Sequence, residues 1–308
     1  MKLIISYDGS GCSEGAIDDL IMAGLPENSE AIIVTVAEVW LPPPDSIPDA
    51  QTNPYFENIV RKRREHGEAL LADAHALAEK AASRVRRVLP RWKVTAEATY
   101  GSPGWEILAK AEELHPDLIV VGSHGHSVIG NLVLGSISQR VLTEASCSVR
   151  IARGRVQVDA AQSRIIIGFD GSKGAMAVVD AVEARKWCDK SEIRLVAALD
   201  EVSPSLIGRL MPPIAEMTEE MNRSEREWIQ KLAEKPLEKL NSTGRPASLH
   251  IHAGNPKRVL IEEAEHWNAD SIFVGANAFG SRLERFLIGS TSAAVAARAH
   301  CSVEVVRK

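Results

Sequence analysis

Short, almost continuously apolar runs alternate along the chain with longer stretches whose apolar residues recur every three or four positions, and the series occurs twice. In the first half the apolar runs are Leu3–Tyr7, Ala31–Trp40, Trp92–Tyr100, Asp117–Val121 and Ser148–Ala152. Near-continuous apolarity suits parallel strands covered on both faces. Helices are predicted over Glu14–Ala23, over the long charged stretch Phe56–Leu89, from an N-cap at Ser102 with Pro103 in the first turn to Leu114, and over Ser136–Glu144. Between them, Leu41–Pro54 carries Pro42, Pro43, Pro44, Pro48 and Pro54, a density that excludes helix and inner strand and predicts an extended surface loop.

The second half repeats the strands at Ile165–Phe169, Glu192–Leu199, Ala247–His252, Ser271–Val274 and Ser302–Val306, and Gly254-Asn255-Pro256 repeats the helix start at Gly101-Ser102-Pro103. The short polar segment Arg153–Ser163 joins residues 1–153 to 164–308, so the halves are expected to pack closely. Strands alternating with helices predict an α/β fold whose parallel sheet is covered on both faces by right-handed crossovers. With 308 residues, each half can bury a core of its own.

The most specific chemistry lies in VVGSHGHSVIGNLVLGSIS, Val120–Ser138. Gly122 follows an apolar strand directly, so the backbone can turn sharply and come close to a ligand with no Cβ in the way. Gly125 frees further N–H groups, and Gly135-Ser136 opens an apolar-periodic helix whose first N–H groups and positive dipole end suit an anion. No lysine or arginine lies between Gly122 and Ser138. A phosphate here would be held by backbone and hydroxyl donors.

This spacing, G-x2-G-x9-G-S, resembles that of nucleotide-binding members of the universal stress protein family. The resemblance runs nearly the whole chain twice, from KLIISYDGS to CSVRIAR and again from RIIIGFDGS to CSVEVVR. It implies two tandem open, mostly parallel five-stranded α/β sandwiches of strand order 3-2-1-4-5, packed as a pseudo-twofold pair through their fifth strands. In that order strands 1 and 4 meet where the winding reverses, the crevice in which open α/β sheets bind ligands. The implied ligand is ATP, or ADP or AMP, with Mg²⁺ or Mn²⁺ arriving only through the phosphates, and the implied role is regulatory or protective in a stress response.

The local sequence leaves Asp8 two roles: accepting from an adenine amino group or ribose hydroxyl, or holding the Gly9-Ser10 turn and capping the next helix. The resemblance tips it toward the adenine side, places Val36 on the base pocket and sets Gly122, Gly125, Gly135, Ser136 and Ile137 at the phosphates; the H-G-H triplet reads as polar loop residues, with His126 near a phosphate. The corresponding second-half positions are Asp170, Ala198, Gly275, Gly289 and Ser290, where binding is expected to be weaker or lost. Gly101 to Gly254 and Gly122 to Gly275 are each 153 residues, but Gly135 to Gly289 is 154. One residue has therefore entered the second loop, which also has Ala278 where a glycine is expected, with Gly280 two positions on, and carries Arg282, Glu284 and Arg285.

Other chemistries fare worse. His124 and His126 form H-G-H after strand 4, whereas the nucleotidylyl transferase signature opens the helix after strand 1. Gly9, Gly11 and Gly15 have the wrong spacing for a dinucleotide fingerprint, and no P-loop or S-G-G-x-D-S loop occurs. The four cysteines, Cys12, Cys147, Cys188 and Cys301, show no metal spacing and read as small buried residues in a reducing compartment. Arg61-Lys62-Arg63-Arg64 shares its helix with Glu57, Glu65 and Glu68 and reads as a solvated face.

A net charge of −5 and a pI of about 6.0 give no reason to expect nucleic acid or an anionic membrane as partner. No apolar stretch approaches the roughly 20 residues of a membrane span, and the first apolar run is too short for a signal-peptide core, so a cytoplasmic protein is expected. Binding is better supported than catalysis, because the loop offers no evident nucleophile, positioned base or acidic pair. The alternatives are a slow ATP hydrolase or phosphotransfer enzyme using Asp8, His124 or His126, and a nucleotide-free dimerisation or interaction module. Association of two chains into a homodimer is left open.

Overall fold

The computed structural model describes residues 1–39, 54–125, 134–153, 162–199, 212–276 and 288–307. The proline-rich loop at 41–53, most of the joining segment, His126, and the second-loop residues Ala278, Gly280, Arg282, Glu284 and Arg285 lie outside them.

The first half runs β1 (Lys2–Ser6), α1 (Gly11–Met22), β2 (Glu30–Ala37), α2 (Pro54–Val88), β3 (Lys93–Tyr100), α3 (Pro103–Leu114), β4 (Leu118–Gly122), α4 (Ser136–Glu144) and β5 (Ser148–Ala152). The second runs β6 (Arg164–Gly168), α5 (Lys173–Glu183), β7 (Glu192–Leu199), α6 (Pro212–Asn241), β8 (Ala247–Ala253), α7 (Pro256–Trp267), β9 (Ser271–Gly275), α8 (Ser290–Arg298) and β10 (Ser302–Val306). The first helix starts earlier than Glu14 because Ser10 caps it, accepting a hydrogen bond from the Ser13 N–H. Ser102 stands at the N-cap of α3 with extended backbone but makes no side-chain cap bond. In α2 the basic run is an exposed face, where Arg61 pairs with Glu65 at 3.4 Å.

The strands lie in the order β3-β2-β1-β4-β5-β10-β9-β6-β7-β8. Each half thus keeps the order 3-2-1-4-5, but two separate five-stranded sandwiches do not form. The halves share one ten-stranded sheet, because β5 and β10 pair antiparallel, Ile151 opposite Val303, Arg150 opposite Glu304 and Val149 opposite Val305. Fusing the sheets removes two edges whose ladder groups would otherwise be unpaired.

Alternation along each strand sorts residues to the two faces. Ile4, Val149, Ile151, Val303 and Val305 face a single core that spans both halves, together with residues of α3, α4, α7 and α8. Leu3 and Ile5 face a core shared with α1 and α2, and Ile165 and Ile167 face another shared with α5 and α6. No disulfide links the cysteines; Cys301 is buried, as expected, while Cys12, Cys147 and Cys188 are only partly so. Burial pushes the Cys147 thiol up to about 11, which leaves it protonated and unreactive at neutral pH.

The halves also exchange helix caps. Arg153, after β5, donates to the Ala296 and Ala297 carbonyls near the end of α8 at 2.6 and 3.2 Å. Arg307, after β10, donates to the Leu142 carbonyl near the end of α4 at 2.6 Å. Each half's last arginine therefore satisfies the last carbonyls of the other half's last helix.

Candidate functional site

The first-half crevice opens where β1 and β4 run side by side and the strand order reverses. Asp8, Val36, Gly122, Gly125, Gly135, Ser136 and Ile137 all line one cavity of about 660 Å³ there. That size accommodates a nucleotide-sized molecule. His126 is outside the described residues, so its place in the site is untested.

The two readings of Asp8 turn out to be compatible. The Ser10 N–H donates to its Oδ1 at 2.9 Å, which holds the turn, with Gly9 at φ +77°. The same carboxylate lines the cavity, and a Cβ added to Gly125 would come 3.0 Å from Asp8 Oδ2. Asp8 and Gly125 thus lie against each other in the wall of the cavity.

The glycines do different work from one another. A Cβ on Gly122 would meet the backbone C and O of Cys12 at 3.0 Å, so this glycine admits the first turn of α1 against the end of β4. The sequence reading had assigned that close approach to a ligand. The Gly135 N–H donates to the Ser123 carbonyl at 2.9 Å, and the Ser138 hydroxyl donates to the Gly122 carbonyl at 2.7 Å, so the start of α4 is tied to the end of β4. Gly135 is the N-cap residue and has no side chain to cap with, and the first intrahelical bond is from the Gln139 N–H to the Gly135 carbonyl. The N–H groups of the first turn of α4 therefore offer donors and a positive dipole end at the cavity.

His124 lines the same cavity. Its Nδ1 lies 3.1 Å from the Ser123 hydroxyl, and its buried Nε2 has no hydrogen-bond partner among the described residues. Burial, and after it the charge of Arg153, holds the imidazole below its ordinary value. His124 is neutral at physiological pH and contributes hydrogen bonding to the crevice, not charge.

Residues that sequence reasoning passed over also reach the cavity, Tyr7, Ser13, Glu38, Pro103, Leu134 and Ser138 among them. Glu38 matters most, since it adds a second carboxylate where no acidic pair was expected. Ser138 was detectable: the Gly-Ser-x-Ser spacing recurs as Gly289, Ser290 and Ser292, and Ser292 makes the equivalent bond to the Gly275 carbonyl at 2.6 Å.

In the second half Asp170, Ala198, Gly275, Gly289 and Ser290 likewise line one cavity, but its volume is about 280 Å³. The scaffold is conserved between the halves: the Ser172 N–H donates to Asp170 at 2.9 Å, the Gly289 N–H donates to the Ala276 carbonyl at 2.6 Å, and Gly275 packs against the backbone of Gly174. The difference lies in the space enclosed. Among the described residues no helix is long and apolar enough to cross a membrane.

A family model described as the universal stress protein family matches residues 1–153 and again 162–307. A universal stress protein of Thermus aquaticus, encoded in the QAH/OAS sulfhydrylase 3′ region, is 31% identical over 151 residues, which is 49% of this chain and 97% of that protein. Universal stress protein Mb2028c of Mycobacterium bovis is 24% identical over 317 residues, covering 99% of this chain and 97% of its own length. The crystal structure of a universal stress protein from Archaeoglobus fulgidus superposes with a TM-score of 0.58 at 19% identity, covering 100% of this chain and 96% of that one. That structural likeness extends the agreement in fold over both halves.

Proposed function

Because the chain belongs to the universal stress protein family, we propose that its first half binds ATP, or the related ADP or AMP, and that occupancy serves a regulatory or protective role under stress. The observation that carries this reading is the convergence of Asp8, Val36, Gly125, Gly135 and Ser136 on one cavity of about 660 Å³ beside the uncapped start of α4. In this arrangement Asp8 accepts from the adenine amino group or a ribose hydroxyl, Val36 packs on the base, and the phosphates lie against the N–H groups of the Gly125 backbone and the first turn of α4, with the Ser136 hydroxyl as a further donor. Mg²⁺ or Mn²⁺ enters bound to the phosphates, with Asp8 and Glu38 within the same cavity.

The second half binds nucleotide weakly or not at all. Its cavity of about 280 Å³ falls at the small end for a ligand of this size. Calorimetric titration of nucleotide-free protein with ATP and Mg²⁺ tests both statements: one site per chain supports them, two equal tight sites refute the second, and no heat at millimolar ATP refutes the first.

A further inference from the structure

His250 and His252 stand two residues apart on β8, the strand at one edge of the sheet, so their rings project from the same face. The rings are stacked, with centroids 6.4 Å apart and planes 16° from parallel. Helix α7 brings Glu263 to them, its side chain only 10% exposed. Glu263 Oε2 lies 3.3 Å from His252 Nε2, and Glu263 Oε1 lies 3.9 Å from His250 Nδ1. One donor atom from each of the three residues falls within 4.8 Å of the others. His252 Nε2 is buried and makes no hydrogen bond among the described residues, the nearby carboxylate being misaligned for one.

A neighbouring arginine sets the orientation. Arg194 Nη1 donates to Glu263 Oε1 at 2.7 Å, and its guanidinium lies 4.0 Å from the centre of the Trp267 ring. This leaves Oε2 turned toward His252.

The arrangement is particular to the second half. The residues 153 positions earlier are Glu97, Thr99 and Lys110, and there Lys110 Nζ meets Glu97 at 2.7 Å. The first half thus fills this place with its own ammonium group. In the second half two imidazoles replace Glu97 and Thr99, and a carboxylate replaces the lysine.

We infer that His250, His252 and Glu263 form a binding site for a divalent transition-metal cation of the zinc class, with water in the remaining coordination position. Two imidazoles and one carboxylate are a donor set of open zinc sites, with bonds of about 2.0–2.2 Å, which puts tetrahedral donor atoms about 3.4 Å apart. His252 Nε2 and Glu263 Oε2, at 3.3 Å, already have that spacing, and His250 closes in to complete it. Nitrogen donors select against Mg²⁺ and Ca²⁺, which take oxygen ligands. The His250 and His252 side chains are 32% and 42% exposed, which gives the cation and its water a path from solvent. None of the three residues lines the second-half cavity, so the inference does not depend on the nucleotide reading.

The test is calorimetric titration of the full chain, stripped of metal and nucleotide, with Zn²⁺ alone, and the absorption spectrum with Co²⁺ in its place. The expected result is one Zn²⁺ per chain, visible Co²⁺ bands of a tetrahedral site, and affinity reduced about a hundredfold or more in His250→Asn/His252→Asn, since even the outer partners of metal ligands are worth about 10–100-fold. Circular dichroism checks that the double variant folds. Should it not fold, His252→Asn alone, at a partly exposed position, decides the matter by the same criterion. Wild-type protein that binds no Zn²⁺, or a folded variant that binds it within about twofold of wild type, overturns the inference.

Discussion

Arg150 on β5 stands directly opposite Glu304 on β10, both buried, at the antiparallel junction of the two halves. The positions are equivalent in the repeat, 154 residues apart, like Cys147 and Cys301. Their neighbours Val149, Ile151, Val303 and Val305 face the shared core, so strand alternation turns the charged pair to the other face of the sheet, toward α1 and α5. There Arg150 forms a bidentate pair with Asp19 of α1, at 2.5 and 3.0 Å, and lies 3.5 Å from Glu304, while Glu304 also pairs with Arg185. Burial opposes the charge on Arg150, but Asp19 and Glu304 outweigh it and raise its pKa. Self-pairing of either half through the same edge would set arginine against arginine or glutamate against glutamate. The junction is therefore complementary only between unlike halves.

Arg150→Met should accordingly be severe. It leaves Asp19 and Glu304 buried with part of their pairing gone, which costs about 3–5 kcal/mol for a buried ion pair broken on one side. Urea unfolding measures it, and a loss under about 1 kcal/mol would show that the network does not hold the junction.

The exchanged caps make a second, gentler test. Arg153→Met and Arg307→Met each remove charge-assisted hydrogen bonds to the terminal carbonyls of the other half's last helix. Each should cost about 1.5–3 kcal/mol. Equal unfolding midpoints for wild type and both variants would mean that solvent satisfies those carbonyls as well.

Much of the fold was legible because the repeat states it twice. Strands Glu192–Leu199, Ser148–Ala152 and Ser302–Val306 and the helix at Ser136–Glu144 have the expected span, and the strands expected at Trp92–Tyr100, Ala247–His252 and Ser271–Val274 differ from it by one residue. The boundary misses are local, as at α1, where Ser10 caps the helix earlier than its apolar periodicity indicated. The joining of the halves through their fifth strands, Val149–Ala152 and Val303–Val306, was expected and is found, while the expectation of two separate sandwiches gave way to one continuous sheet, which a one-dimensional pattern does not show. In the crevice, the glycine spacing brings Gly122, Gly125 and Gly135 to one cavity, and the packing of Gly122 against the Cys12 backbone was not legible, because a glycine that admits a helix and one that admits a ligand look alike in sequence. Glu38 escaped notice because it becomes relevant only once β2 lies next to β1. The His250-x-His252 spacing on a strand was a usable signal, but Glu263 is distant in sequence and only packing brings it near.

Acid should weaken the nucleotide-free, metal-free protein at mild pH. His124 and His250 both have folded values below their ordinary one, so the unfolded chain binds more protons than the folded chain as pH falls below about 6.5. The stability they contribute is full above that value and is lost as pH drops through the folded values. Unfolding free energies between pH 8 and 5.5 should decline in wild type and decline less in His124→Asn/His250→Asn. Parallel curves for the two proteins would contradict this.

Gly122→Ala should destabilise without any ligand present. The added Cβ meets the Cys12 backbone at 3.0 Å, so α1 must shift, at a cost of about 1–3 kcal/mol. A wild-type melting temperature in the variant would return Gly122 to the role of a ligand contact.

The measurement closest to the central claim is the thermal shift produced by ATP and Mg²⁺ in protein freed of nucleotide, for wild type and for Gly125→Val. At a hundred times the dissociation constant, a ligand that binds only the folded state stabilises it by about 2.7 kcal/mol. For a domain of this size that is a rise of roughly 5–11 °C, at about 2–4 °C per kcal/mol. The valine's Cβ would meet Asp8 Oδ2 at 3.0 Å and displace that carboxylate from its place on the cavity wall, so most of the shift should disappear while the unliganded melt stays cooperative. A wild-type protein that shows no shift at millimolar ATP, or a Gly125→Val variant that keeps the full shift, would contradict the nucleotide site at Asp8, Gly125 and Ser136.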